Sequence, residues 1–129
     1  MNKNELKLLQ NIFGQYSALK LVYLFGSRAS GKTGINSDYD FAFYIDEEKT
    51  KAFYTSLDIA GKISKALETE DIDTVIINHS EYPELKYSII KNGKIIYEIE
   101  PYKLLLEPGI LSEYFDFRYL LRKYNLTKT

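Results

Sequence analysis

The sequence predicts a single domain of the α/β (α+β) class, in which strands and helices alternate along one chain. Four short segments rich in aliphatic and aromatic residues have the length and composition of strands. The segments beside them repeat apolar residues at helical spacing. The 129 residues, 45% of them hydrophobic, are enough to bury one core but too few for two ordinary domains. We therefore expect residues 1–129 to form one domain.

The N-terminal part of the chain predicts a helix followed by a buried strand. Apolar residues over 6–16 recur at helical spacing, and Asn2 or Asn4 can cap the helix that they form. LKLVYLF over 19–25 is almost continuously apolar, which is typical of a buried strand, and Gly26 ends it. A loop is expected to follow.

The middle of the chain predicts a half-buried strand and a second helix. In YDFAFYI, over 39–45, Asp40 and Ala42 share one face while three apolar residues occupy the other. Residues 50–67 have helical periodicity, and the acidic run ETED over 68–71 is expected to end that helix.

A third strand, another helix and a fourth strand are predicted next. DTVIIN begins a strand at Asp73. Pro83 suits the first turn of a helix that Asn92-Gly93 would end. KIIYEI over 94–99 then reads as a shorter strand.

The C-terminal segment predicts a hinge and a last helix. We expect a hinge at Glu107-Pro108-Gly109, because proline and glycine both interrupt regular structure. Ser112 can cap a helix over residues 112–125. That helix carries more apolar surface than one buried face requires, which predicts that part of it binds a partner.

Composition excludes several classes of protein and site. Lys plus Arg number 17 and Asp plus Glu number 18, so no basic surface for nucleic acid is expected. Cysteine is absent, which leaves oxygen ligands and the lone His79 as metal donors, a set that suits Mg²⁺ best. No apolar run is long enough to cross a bilayer, so we expect a cytoplasmic protein without membrane contact.

The most informative stretch is GSRASGKTGINSDYDFAFYI, because it places two acids at the start of a strand. Residues two apart in a strand face the same way and lie about 6.5 Å apart, so Asp38 and Asp40 can bind the same divalent ion or a pair of ions. The alternative is a surface turn closed by Ser37-Asp38. An acid inside an apolar strand is costly without a partner, which favours the metal site.

The corner before the acidic pair has the features of a phosphate pocket. Gly26 permits positive φ and close backbone approach, and the Ser27 hydroxyl adds a donor. Arg28 and Lys32 lie in the same loop and can add positive charge beside a triphosphate, although we expect at least one of them to be merely solvated.

A third carboxylate would complete a two-metal site or accept the proton of an attacking hydroxyl. Asp73 stands at the head of the third strand and is the preferred candidate. Asp71 has the same parity along the strand but lies further out in the acidic run.

At these residues the sequence resembles the nucleotidyltransferase superfamily that shares a palm-like core with polymerase beta. Within it, the chain is similar to the minimal nucleotidyltransferases, the MntA-like antitoxins encoded beside HEPN-domain toxins. The resemblance is carried by Gly26-Ser27, the ten-residue interval, Ser37-Asp38-x-Asp40 with Phe41, and the strand of Asp73 that ends in Asn78. Ser30 departs from it, since many relatives have arginine there.

The resemblance implies a mixed sheet flanked by helices and an enzyme that moves AMP from ATP to a hydroxyl group. The acceptor would be a tyrosine of the paired HEPN toxin, with which the chain could form a hetero-oligomer. The resemblance also implies two Mg²⁺ ions, held by the catalytic carboxylates Asp38, Asp40 and Asp73. The implied nucleotide-binding residues are Gly26, Ser27, Arg28 and Ser37.

Two other functions remain open from the sequence. The chain could adenylylate a small molecule such as an aminoglycoside, which would need no partner protein. It could also be a nucleotide-binding module that masks a toxin without chemistry, although the presence of all three acids argues against this.

Overall fold

The computed structural model describes residues 1–30 and 38–126, which form nine helices and strands. Their bounds are α1 Lys3–Phe13, β1 Leu19–Phe25, α2 Ser27–Ser30, β2 Tyr39–Ile45, α3 Lys49–Leu67, β3 Ile72–Ile76, α4 Pro83–Asn92, β4 Lys94–Glu98 and α5 Tyr102–Lys123. All four predicted strands are present. The short α2 was not predicted, and it lies where a loop was expected.

The four strands form one mixed sheet in the order β3-β2-β1-β4. β1 is antiparallel to both β2 and β4, whereas β2 and β3 are parallel. A parallel pair requires a long crossover, and α3 supplies it. The mixed sheet flanked by helices is therefore confirmed.

Helices cover both faces of the sheet, and the alternation of β2 decides which residue meets which layer. Phe41, Phe43 and Ile45 are fully buried in the cluster that contains the inner sides of α1 and α3. Ala42 is buried in a second cluster, with Ile89 of α4 and Ile110 of α5. The predicted division of β2 into two faces is confirmed, and Asp40 shares the face of Ala42.

The helix boundaries follow from capping. Asn2 caps α1, and its side chain and that of Glu5 each accept the other's backbone N–H. Glu48 caps α3 by accepting from two backbone N–H groups of the first turn. Glu68 ends α3 in the left-handed conformation, with φ 53°, so the acidic run does end this helix as predicted.

The predicted hinge at Glu107-Pro108-Gly109 is wrong, because α5 continues through it. The Tyr23 hydroxyl donates to Glu107 Oε2 at 2.7 Å, and Ile110 is buried one turn later, so the helix is anchored on both sides of the proline. Pro108 leaves the Leu104 carbonyl without its helical donor, but Leu104 is exposed and water can reach that carbonyl.

The expected start of the last helix is wrong for the same reason. Ser112 lies inside α5 and does not cap it, and the predicted segment 112–125 is only the second half of a helix that begins at Tyr102 and ends at Lys123. Among the described residues, no helix is long and apolar enough to span a membrane.

The Tyr23–Glu107 hydrogen bond should contribute measurably to stability. Burial raises the pKa of the Tyr23 phenol, and the Glu107 carboxylate raises it further, so the phenol remains a donor. We expect Tyr23→Phe to lower the free energy of unfolding in urea by about 1–2 kcal/mol, since it removes a donor to a charged acceptor. Tyr54→Phe, at an exposed position on α3, should change it by less than about 0.5 kcal/mol. Equal effects of the two substitutions would contradict the anchoring role.

Candidate active site

The register of the sheet brings two of the predicted acids together. Asp40 on β2 is paired with Asp73 on the parallel strand β3, and with Phe25 on the antiparallel strand β1. Residues opposite each other in neighbouring strands project from the same face, with their backbones about 4.8 Å apart. The carboxylates of Asp40 and Asp73 are therefore neighbours on the face that also carries Ala42 and Val75.

Asp38 lies near this pair, two residues before Asp40 and exposed. Burial raises the pKa of the Asp40 carboxyl, and the negative charges of Asp73 and Asp38 raise it further. Asp71 makes no such contribution, and its carbonyl accepts the N–H of Tyr39 at 2.9 Å as part of the ladder. The geometry thus groups Asp73, rather than Asp71, with the acidic pair.

Gly26 is in contact with this acidic group. Its φ is +72°, and a Cβ atom built on it would lie 2.2 Å from Oδ2 of Asp40. Any other residue would both strain the backbone and displace the carboxylate. The glycine corner and the acids therefore form one continuous site.

The other residues predicted to bind the nucleotide are distributed differently. Ser27 is half-buried and begins α2 directly after Gly26. The Arg28 guanidinium lies over the ring of Tyr39, 4.1 Å from its centroid, and Tyr39 packs with Phe41 on the sheet face opposite Asp40. The role of Arg28 in binding stays a prediction, while Ser37 and Lys32 lie outside the described residues.

Asn78 has a positioning role that sequence reasoning did not assign. Its Oδ1 accepts the N–H of Ile45 at 3.0 Å, and its Nδ2 donates to the carbonyl of the same residue at 2.8 Å. This pair of bonds ties the chain just after β3 to the end of β2. The only signal in the sequence was an amide residue at the end of an apolar run.

The described acids do not form a complete metal cage by themselves. Within residues 1–30 and 38–126, no three acidic or histidine side chains are grouped closely enough to hold an ion without other ligands. His79 is not part of the site, because its Nε2 lies 2.7 Å from the Glu47 carbonyl. Mg²⁺ commonly takes one or two carboxylates and completes its shell with phosphate and water oxygens. The like-charged pair Asp40 and Asp73 fits an ion of that kind.

Comparison with known proteins identifies the family. The family model described as polymerase beta, nucleotidyltransferase, matches residues 7–102. This chain belongs to that family. The nucleotidyltransferase is also 34% identical, over 118 aligned residues, to the protein adenylyltransferase MntA of Aphanizomenon flos-aquae, an alignment that spans 85% of this chain and 72% of that protein.

A second relative resembles a smaller part of the nucleotidyltransferase. The spectinomycin 9-adenylyltransferase of Staphylococcus aureus is 31% identical over 87 residues, which are 64% of this chain and 33% of that enzyme.

Solved structures share the fold of this nucleotidyltransferase. A toxin-antitoxin crystal structure with AMP-PNP superposes with a TM-score of 0.74 at 24% identity, covering 96% of this chain and 95% of the other. A tri-AMPylated Shewanella oneidensis HEPN toxin in complex with MNT antitoxin gives 0.72 at 20% identity, with 96% and 95% coverage. At these identities the likeness shows the fold alone.

The contact between Gly26 and Asp40 leads to a test with an internal control. We expect Gly26→Ala to lower the free energy of unfolding by about 1–2 kcal/mol, because alanine is strained at positive φ and its Cβ collides with the carboxylate. Gly61→Ala, inside α3 with nothing within 4 Å of the added Cβ, should leave stability unchanged or raise it by about 0.5–1 kcal/mol. Urea unfolding of both variants measures the difference. A Gly26→Ala variant as stable as Gly61→Ala would contradict the described corner.

Proposed function

We propose that this nucleotidyltransferase transfers AMP from ATP to a hydroxyl group of a partner protein, and that the partner is a HEPN-domain toxin, which the modification silences. The observation that carries the proposal is the placement of Asp40 opposite Asp73 with Gly26 against them. The MntA relative is a protein adenylyltransferase, and a protein of the same fold is found with an AMPylated HEPN toxin.

In this proposal the triphosphate of ATP binds where the glycine corner meets the acids. Gly26 leaves room for close approach of phosphate, and the Ser27 hydroxyl lies next to it in the chain. Asp38, Asp40 and Asp73 would together hold two Mg²⁺ ions. When bound, the metal neutralises the phosphates and stabilises charge on the attacking and leaving oxygens.

The reaction is an in-line displacement at the α-phosphorus. The acceptor oxygen forms a bond to phosphorus, the bond to the β-phosphate bridge breaks, and pyrophosphate leaves. The proton of the hydroxyl passes to a carboxylate, for which Asp73 is suited because it is exposed and lies on the outer strand of the acidic group.

A protein acceptor is favoured over a small molecule by the extent of the two relationships. The protein-modifying relative aligns with 85% of this chain and 72% of its own length. The spectinomycin enzyme aligns with 64% and 33% respectively. The parts of that enzyme that lie outside the alignment offer no model for an acceptor site on this chain.

The catalytic assignment is tested by removing charge from one acid at a time. With Mg²⁺ and labelled ATP, we expect Asp40→Asn and Asp73→Asn each to lower AMP transfer to the proposed HEPN-domain partner by about 100-fold or more. Asp71→Asn is the matched control, because Asp71 is also exposed and acidic but contributes to the site through its backbone only; it should change the rate less than about threefold. Transfer that survives Asp40→Asn, or equal losses at Asp71 and Asp73, would refute the assignment.

We further propose that the partner docks on the exposed side of α5, which includes the predicted partner-binding segment 112–125. Leu111, Phe115 and Tyr119 follow one another at intervals of four, so they form a single stripe, and each is at least 39% exposed. An exposed apolar stripe edged by the basic residues of the last helical turn is typical of an interface.

Tyr119→Glu should weaken binding of the HEPN partner by about tenfold or more, since it places a charge in an apolar contact. Leu8→Glu on α1, which is likewise exposed, serves as the control and should leave affinity within about twofold. Titration calorimetry measures both. Unchanged affinity of the Tyr119 variant, with an unchanged circular dichroism spectrum, would place the partner elsewhere.

A further inference from the structure

The outer edge of β3 has backbone groups directed away from the sheet. The ladder to β2 includes a bond from the Ile77 N–H to the Phe43 carbonyl and one from the Tyr39 N–H to the Asp71 carbonyl. Odd-numbered residues of this segment therefore bond to β2, and the even-numbered residues point the other way. The Ile72 N–H is bonded to the Glu70 carbonyl and the Ile76 carbonyl accepts the His79 N–H, which leaves the Ile72 C=O, both groups of Thr74 and the Ile76 N–H directed outward. No strand of the described chain pairs with that edge.

Two apolar walls rise on either side of this edge. α3 contributes Phe53 and Leu57, which are 52% and 51% exposed. The start of α4 contributes Leu85, and the residue before that helix is Tyr82, which is 71% exposed. With Thr74 on the floor, they enclose a groove of about 320 Å³. Large apolar side chains are thus left uncovered next to unused hydrogen-bonding groups.

We propose that this groove binds an extended segment of the acceptor polypeptide, which joins the sheet as a strand beside β3. The open N–H and C=O groups require a partner with a backbone of its own, and the walls provide pockets for alternate apolar side chains. No small molecule offers that repeat of donors and acceptors along a groove. The proposal rests on the proposed function in one respect, the naming of the bound polypeptide as the acceptor.

A second copy of this chain is a less suitable occupant. Two edge strands must approach to about 4.8 Å to pair. Here Phe53 and Leu57 flank the edge on one side and Tyr82 flanks it on the other, and each of these side chains is more than half exposed. The walls of two facing copies would meet before their β3 strands did, whereas a single extended segment can enter the groove.

The groove lies beside Asp73, the carboxylate proposed to accept the proton of the acceptor hydroxyl. Thr74 follows Asp73 directly, and Asp73 points to the face that carries the acidic group. In a strand added next to β3, alternate side chains project to that same face. A hydroxyl-bearing residue opposite Asp73 would thus come within side-chain reach of the carboxylate proposed to receive its proton.

Amide hydrogen exchange tests the pairing directly. In the complex with the proposed HEPN-domain partner, we expect exchange at the Thr74 and Ile76 amides to slow by about tenfold or more. The Val75 amide already faces β2, so it serves as an internal reference and should be slow in both states. Absence of protection at Thr74 in the complex would overturn the proposal. So would protection that appears without partner as the concentration of this chain rises, because a second copy would then cover the edge.

A matched pair of variants tests the walls. Leu57→Glu places a charge in the groove, and we expect it to raise KM for the protein acceptor by about tenfold while KM for ATP stays within twofold. Leu8→Glu, at a residue 48% exposed compared with 51% for Leu57, should change neither constant. Equal effects of the two variants on the acceptor KM would overturn the proposal.

The exchange and transfer measurements distinguish an error in the strand-addition proposal from an error in the proposed function. If the groove is right, the Asp40→Asn variant should still show protection of Thr74 with the partner, although it transfers no AMP. Protection without transfer by the unaltered chain would refute the proposed function and leave the strand addition standing. AMP transfer by the unaltered chain without protection of Thr74 would refute the strand addition and leave the proposed function standing.

Discussion

The parallel pairing of β2 with β3 is the constraint on which the rest of this site depends. A slip of one residue would turn Asp73 to the face of α3, because side chains alternate along a strand. Three features hold the register: the Tyr39 N–H bond to Asp71, the ladder along the strands, and the two bonds between Asn78 and the backbone of Ile45. The acids therefore converge because hydrogen bonds at both ends of β3 fix its register with β2.

This alignment has an electrostatic cost, which the apolar side of the same strand offsets. Burial and the charges of Asp73 and Asp38 raise the pKa of the Asp40 carboxyl. The ionised form of Asp40 is therefore less stable in the folded protein than it would be in water. On the opposite face Phe41 and Phe43 are fully buried, and each such side chain contributes about 1.5–3 kcal/mol. The strand can thus hold an unfavourable charge at the position where the proposed cation and triphosphate would neutralise it.

The sequence predicted local features of this fold better than distant contacts. The alternation of β2 is visible in seven residues, and Gly26 before an acidic pair indicated a close backbone approach. The choice between Asp71 and Asp73 depended on register with another strand, which spacing alone does not give. The hinge at Pro108 was wrong because a contact that anchors α5 beside the proline comes from Tyr23, which is 84 residues away from Glu107. The role of Asn78 likewise depends on a strand that is distant in sequence.

The order of the strands also gives the proposed reaction a direction across the sheet. In-line displacement needs the leaving group and the attacking hydroxyl on opposite sides of the α-phosphorus. The corner at Gly26 ends β1, Asp40 lies on the next strand, and Asp73 lies on β3, whose far side pairs with no strand within residues 1–30 and 38–126. Phosphate would then be held on the β1 side, and the acceptor would approach from the β3 side. Because β3 is an edge strand, the proposed acceptor polypeptide would reach the third carboxylate without displacing any of the described helices.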